Sequence, residues 1–136
     1  MANRILSHVH PQPQDVFNHF ARMSADQQLG VVLEFPCRLD EGRLKNSVTA
    51  LCRAQPVLGC RFIYNSGRPR FIPGQNDDSF SIANSPDVHA AAMDAAAQPL
   101  DYSDTGVFHV GLIRGPASDA IAMRIDHTAA DGQGAK

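Results

Sequence analysis

The sequence predicts an α+β domain in which helices pack on a mixed, largely antiparallel sheet. Short, β-branched, apolar runs alternate with segments whose apolar residues recur at helical spacing. The last two apolar runs, residues 107–113 and 120–125, are joined by the turn-forming sequence Gly-Pro-Ala-Ser-Asp, so they should pair antiparallel. Helices and strands are therefore expected to mix around one sheet.

Length and composition predict one ordinary globular domain over residues 1–136. A hydrophobic fraction of 43% and a charged fraction of 19% are typical of a chain with a real core, not of a disordered one. The net charge of −2 favours neither nucleic acid nor an anionic membrane surface as a partner. No apolar run approaches the roughly 20 residues of a spanning helix, and the N-terminus lacks a signal-peptide core, so the expected location is the cytoplasm.

The first half of the chain predicts two helices around a strand. Asp15 is expected to cap a short amphipathic helix. Residues 29–35 are β-branched and apolar, which predicts a strand with both faces largely covered. Asp40 is a suitable N-cap for a helix over about residues 41–54, which should end before Pro56.

The second half predicts a hairpin, a short strand and an alanine-rich helix. Residues 58–64 and 70–72 should form the hairpin through a loop somewhat longer than the minimum. Residues 80–83 read as a short edge strand. Pro86-Asp87 opens a helix over about residues 88–98, whose alanines favour helix formation and close packing.

Neither the cysteines nor the N-terminal histidines predict a metal site. Cys37, Cys52 and Cys60 are an odd number without a C-x-x-C pair, and none has the surroundings expected of a Cys-His hydrolase nucleophile. His8 and His10 would share one face of a strand and could bind a metal, but no third ligand lies nearby. No metal is expected, and the cysteines are interpreted as reduced thiols.

The stretch over residues 122–134 has the strongest chemical character in the chain. An apolar strand leads into His127, and a histidine at a strand end can take a proton near neutral pH from a rigid platform. Asp131 could orient the imidazole as in a triad, pin the loop through an arginine or a helix N-terminus, or cap a helix that begins at Gly132. Gly132 permits a close approach that a side chain would block. The alternative is a partly buried histidine before an ordinary cap, because short strings such as H-x-x-x-D-G often arise by chance.

Taken in order, the motifs resemble the acyltransferase superfamily that includes chloramphenicol acetyltransferase and the condensation domains of nonribosomal peptide synthetases. Residues 127–132 (H-T-A-A-D-G) match the H-x-x-x-D-G signature of that superfamily. Residues 55–62 (Q-P-V-L-G-C-R-F) resemble the hP-L-R-x-x-F segment of condensation domains, and residues 98–101 (Q-P-L-D) resemble their P-F-D segment. Asp126 stands where condensation domains usually carry the first of two adjacent histidines, which favours a general acyltransferase over a peptide synthetase.

The resemblance implies one lobe of a two-lobed fold. Residues 1–136 would form the N-terminal lobe, with the second lobe absent. His127 would be the general base that deprotonates an acceptor hydroxyl or amine, which then attacks a thioester carbonyl. Asp126, Asp131 and Gly132 would be structural residues at the site.

The same resemblance implies the co-substrates and partners. The acyl donor would be acyl-CoA or a phosphopantetheinyl carrier protein, with no tightly bound cofactor and no metal. The partners would be this donor and a second acyltransferase lobe, from the same gene product or from a homodimer, and neither nucleic acid nor a membrane. The chain alone is expected to be inactive in such natural-product acyl transfer. The alternative is a stand-alone, non-catalytic binding or dimerisation module derived from the half-fold.

Overall fold

The computed structural model describes residues 11–74, 79–101 and 103–129. Within these ranges the chain forms three α-helices and six β-strands, with a short 3₁₀ turn (Pro56–Gly59) before β2. In chain order they are α1 (Pro13–Ala21), β1 (Gln28–Phe35), α2 (Glu41–Ala54), β2 (Cys60–Asn65), β3 (Arg68–Pro73), β4 (Phe80–Asn84), α3 (Val88–Ala97), β5 (Phe108–Arg114) and β6 (Asp119–Asp126).

The central sheet has four strands in the order β1-β6-β5-β4. Strand β6 pairs antiparallel with both β1 and β5, whereas the edge strand β4 pairs parallel with β5. The predicted mixed, largely antiparallel sheet is therefore confirmed, as is the antiparallel closing pair. The expectation of one sheet is wrong, because β2 and β3 pair with each other and form a second, two-stranded sheet.

Side-chain caps fix the starts of the two longer helices as predicted. The Asp40 carboxylate accepts a hydrogen bond from Arg43 N at 2.9 Å, and α2 ends before Pro56. Asp87 caps α3 in the same way, accepting from Ala90 N at 3.0 Å. Among the helices of the described ranges, none is long and apolar enough to cross a membrane.

Three local predictions are wrong, each for a physical reason. Asp15 is not the N-cap of α1: its carboxylate accepts from Gln12 N at 2.6 Å as the third residue of a capping box. Strand β1 is not covered on both faces, because it is an edge strand and Leu33 is 46% exposed. The hairpin loop is the two-residue minimum, since Ser66 and Gly67 both adopt positive φ, 53° and 75°.

The core lies on both faces of the four-stranded sheet. On one face, Phe108 and Ile125 pack with Val48 of α2. On the other face, Ala120 packs with Ala92 of α3. Successive side chains of a strand point to opposite faces, so β5 and β6 contribute to the core on both faces of the sheet. The two layers hold β6 rigidly along its length, which matters because β6 leads directly into His127.

A histidine on the central strand β5 is held neutral by its surroundings. His109 lies opposite Arg124 of β6, and Arg124 Nη2 donates to His109 Nδ1 at 3.0 Å. Burial, and secondly the positive charge of Arg124, lower the pKa of His109 from 6.5 to about 4. The folded protein therefore resists protonation of this ring.

We expect His109 to contribute to acid destabilisation between pH 6.5 and about 4. In this window the unfolded chain binds a proton at His109 and the folded chain does not, so the free energy of unfolding falls as the pH falls. The variant His109→Gln should show a flatter dependence, measured by chemical denaturation across the window. His89→Gln is the control, because Glu34 raises the pKa of the exposed His89 and gives the opposite sign. An unchanged acid slope in His109→Gln would contradict the assignment.

Candidate active site

His127 follows directly after β6, at the end of the sheet where β1 begins. Its backbone N donates to Gln27 O at 2.8 Å, which continues the β1–β6 pairing one residue beyond the strand. Its backbone O accepts from the side-chain amide of Asn18 in α1 at 2.9 Å. The His127 side chain is half-buried. The backbone on both sides of the imidazole is thus fixed by the sheet and by α1.

Asp126, the last residue of β6, is a buried carboxylate that shapes the turn carrying His127. It is 1% exposed and forms an ion pair with Arg22, the C-cap residue of α1. It also accepts from Thr128 N at 2.9 Å and Thr128 Oγ1 at 2.7 Å. A hydrogen bond of 2.9 Å from Ala129 N to Asp126 O closes residues 126–129 into a turn. In the described part of the chain, this carboxylate bonds to Arg22 and Thr128 and not to the imidazole of His127.

Helix α1 is anchored to the hairpin by aromatic contacts beside this ion pair. The His19 ring stacks on Tyr64 with centroids 5.2 Å apart, and lies 5.3 Å from the Phe62 ring. Burial, and then the charge of Arg22, lower the pKa of His19, with Asp126 acting in the opposite direction. His19 is therefore mainly neutral at pH 7 and does not add a second positive charge beside Arg22.

The structure describes two of the four predicted site residues. Asp126 is the last residue of β6 and His127 is the next residue, whereas Asp131 and Gly132 lie outside the described residues. His8 and His10 also lie outside them. Across the described ranges, no three His, Cys, Asp or Glu side chains gather to hold a metal.

Three residues at or beside the site were not predicted from the sequence: Asn18 and His19 of α1, and Arg22, the C-cap residue of that helix. One signal was available, because Asn18 and Arg22 are four residues apart and so share one helix face. The pattern does not reveal which surface that face meets. Arg22 and Asp126 are separated by 104 positions, and only the packed fold joins them.

Two of the three cysteines have surroundings that disfavour a reactive thiolate. Burial raises the pKa of Cys60 to about 11, with a smaller contribution from Cys52. Burial also raises the pKa of Cys52, a residue of α2 that is partly buried against the core. A thiol in such surroundings is a poor nucleophile at neutral pH, so these two residues serve as small core side chains.

The comparisons with known proteins identify the fold. No protein-family model and no curated protein matches the chain. A mutant of the starter condensation domain of rhizomide synthetase RzmA is similar, with a TM-score of 0.73 and 15% identity over 93% of this chain and 34% of that chain. The first condensation domain of the calcium-dependent antibiotic synthetase, in complex with a substrate analogue, gives a TM-score of 0.69 and 19% identity, covering 93% and 36%. The tallysomycin biosynthesis protein TlmII gives 0.68 and 16%, covering 87% and 30%.

These likenesses show that the chain has the condensation-domain fold, which confirms the fold predicted from the ordered motifs. The chain spans about a third of the length of the solved structures it matches. Its own residues therefore account for one part of that fold, in which His127 directly follows β6, a strand paired on both sides.

Proposed function

We propose that this chain is the His127-bearing lobe of a condensation-type acyltransferase in natural-product biosynthesis. The enzyme transfers an acyl group from a CoA or carrier-protein thioester to a hydroxyl or an amine. The supporting observation is a half-buried histidine at the end of a paired strand, in a chain with the condensation-domain fold. Rigid placement of this kind is what a proton-transfer group requires.

In the proposed reaction His127 is the general base. Its imidazole takes the proton from the acceptor O–H or N–H as the acceptor lone pair forms a bond to the thioester carbonyl carbon. The tetrahedral oxyanion then collapses, the C–S bond breaks, and the imidazolium returns the proton to the leaving thiolate. Positioned acid–base catalysis supplies roughly 10²–10⁴-fold in rate, and positioning and oxyanion stabilisation supply the remainder.

The other site residues have structural roles in this proposal. Asp126, bonded to Arg22 and Thr128, keeps the turn in one shape. Asp131 and Gly132 shape the loop that follows. The enzyme holds no tightly bound cofactor, and acyl-CoA or a phosphopantetheinyl carrier protein is its co-substrate in the cytoplasm.

A second lobe, from the same gene product or from a second copy, completes the proposed site. In the described part of the chain, Phe17 on α1 is 65% exposed, and Met23, two residues after α1 ends, is 87% exposed. Exposed apolar residues of this size support a covering protein surface. The chain by itself is then inactive, because the second lobe supplies the substrate contacts that this lobe lacks.

The test compares residues 1–136 with the full reading frame that encodes them. Both are incubated with acyl-CoA or acyl-carrier-protein donors and with amine or hydroxyl acceptors, and thiol release and acylated product are measured. Product is expected from the longer protein or from a dimer. Absence of product with every donor would refute the acyltransferase assignment, and full activity of monomeric 1–136 would refute the need for a second lobe.

The second candidate is a stand-alone, non-catalytic module that binds or dimerises. The exposed Phe17 and Met23 support it, because exposed apolar side chains of this size could also form the interface of a dimer or of a complex with another protein. Size-exclusion chromatography with light scattering, combined with the acyl-transfer assay, distinguishes this module from an acyltransferase lobe. A stable dimer without acyl transfer would support this candidate, and a monomer at high concentration would count against dimerisation.

A further inference from the structure

Helix α1 presents two polar side chains to the turn that carries His127. Asn18 lies on α1 and Arg22 is the C-cap residue of that helix, four positions later and still in a right-handed helical conformation, so the two side chains lie on one face, one turn apart. Asn18 donates its side-chain amide to the backbone O of His127 at 2.9 Å. Arg22 pairs with the carboxylate of Asp126, the residue immediately before His127.

The Arg22 contact is built into the interior of the fold. Asp126 is 1% exposed, and a carboxylate so deeply buried is stable in its charged form only when it is paired and hydrogen-bonded. Thr128 supplies two hydrogen bonds and Arg22 supplies the opposite charge. Movement of α1 would break this arrangement, so α1 and the turn are held as one unit.

A third contact fixes the position of α1 itself. His19, which lies between the two polar side chains in sequence, packs its ring on Phe62 and Tyr64 of β2. Phe62 is fully buried, so this support is rigid. The turn is thereby linked through α1 to the hairpin, in addition to its bond to Gln27.

We infer that Asn18 and Arg22 are positioning residues for the His127 base, an assignment that rests on the proposed function. They touch no substrate; they fix the backbone from which the imidazole projects. A base displaced by about 1 Å loses up to about 10²-fold in rate, while substrate contacts made elsewhere are unchanged. Loss of either residue should therefore lower kcat and leave KM for the thioester unchanged.

The kinetic test uses the longer, active protein. Asn18→Leu keeps the shape of the side chain and removes the donor, and kcat should fall by about 10- to 100-fold with KM unchanged. Arg22→Gln should behave alike, whereas Arg22→Lys, which can still donate to Asp126, should recover most of the rate. Asn46→Leu and Arg53→Gln, at exposed positions of α2, are the matched controls. Unchanged kcat in Asn18→Leu and Arg22→Gln, or a rise in KM alone, would overturn the inference.

A second measurement does not depend on activity. Diethyl pyrocarbonate modifies accessible imidazoles, and mass spectrometry gives the modification rate of His127 relative to the exposed His89. The relative rate should rise in Asn18→Leu and stay constant in Asn46→Leu. Asn18→Asp, which has the same shape and no amide donor, replaces the leucine variant if thermal melting shows that the latter is unfolded.

The two measurements separate the two possible failures. If the longer protein transfers no acyl group, the proposed function fails, and the modification rates still decide whether α1 holds His127 in place. If acyl transfer depends on His127 and neither kcat nor the modification rate responds to Asn18, only the positioning role fails.

Discussion

Replacement of His127 by alanine is expected to lower kcat of the proposed two-lobed acyltransferase by about 10²–10⁴-fold. The variant removes the imidazole proposed to take the acceptor proton, and the hydrogen bonds of the turn remain because they involve the backbone of residue 127 and its neighbours. The thermal midpoint should therefore change little. The measurement is kcat at saturating thioester, with a melting curve for the same preparation.

His89→Ala is the matched control for this loss. His89 is also a histidine, but it is exposed on α3 and pairs with Glu34, near the opposite end of β1. Its replacement should leave kcat unchanged. Full activity in His127→Ala would remove His127 as the base, and loss of activity in both variants would point to a general effect on folding.

The elements that the sequence predicts well are those whose cause is local. Asp40 and Asp87 cap α2 and α3 because a carboxylate and the third backbone N–H after it come together within one turn. The antiparallel pairing of β5 with β6 follows from the short turn between them. The position of His127 at a strand end also has a local cause, because the apolar run ends at Ile125, two positions before it.

The features that the sequence does not predict depend on packing between distant segments. Residues 29–35 read as a covered strand from their composition, but the exposure of Leu33 is set by the position of β1 at the edge of the sheet. The structural role of Asp126 is predicted only by the resemblance to the acyltransferase superfamily. Its partner Arg22 is not visible in the sequence, because the ion pair exists only once α1 has docked beside β6.

Helix α1 shows the same dependence on packing. Its apolar residues Phe17 and Phe20 suggest an ordinary amphipathic helix, yet both are more than 40% exposed, at 65% and 48%. The face that meets the rest of the described fold includes Asn18, His19 and Arg22. The contacts that join α1 to the His127 turn therefore come from Asn18 and Arg22, polar residues that an apolar pattern does not single out.

Replacement of Phe62 by alanine is expected to lower the free energy of unfolding by about 3–5 kcal/mol. Phe62 is 0% exposed and packs edge-to-face on Phe71 of β3, with centroids 5.1 Å apart. The cavity left behind lies beside Cys60 and Val107. These residues cannot collapse into it freely, because the backbone of Val107 is hydrogen-bonded to Cys60 of β2 and to Asp126 of β6. Denaturant unfolding measures the change. Phe17→Ala is the control, since Phe17 is 65% exposed and its loss should stay within about 0.5 kcal/mol.

The same substitution also tests how the hairpin supports the site. Because the His19 ring rests on Phe62, its loss should loosen α1, and α1 holds the backbone of His127 through Asn18. Modification of His127 by diethyl pyrocarbonate should therefore accelerate in Phe62→Ala at temperatures where the protein is still folded, and should not accelerate in Phe17→Ala. A large loss of stability without any change at His127 would mean that β1 alone, through Gln27, holds the turn in place.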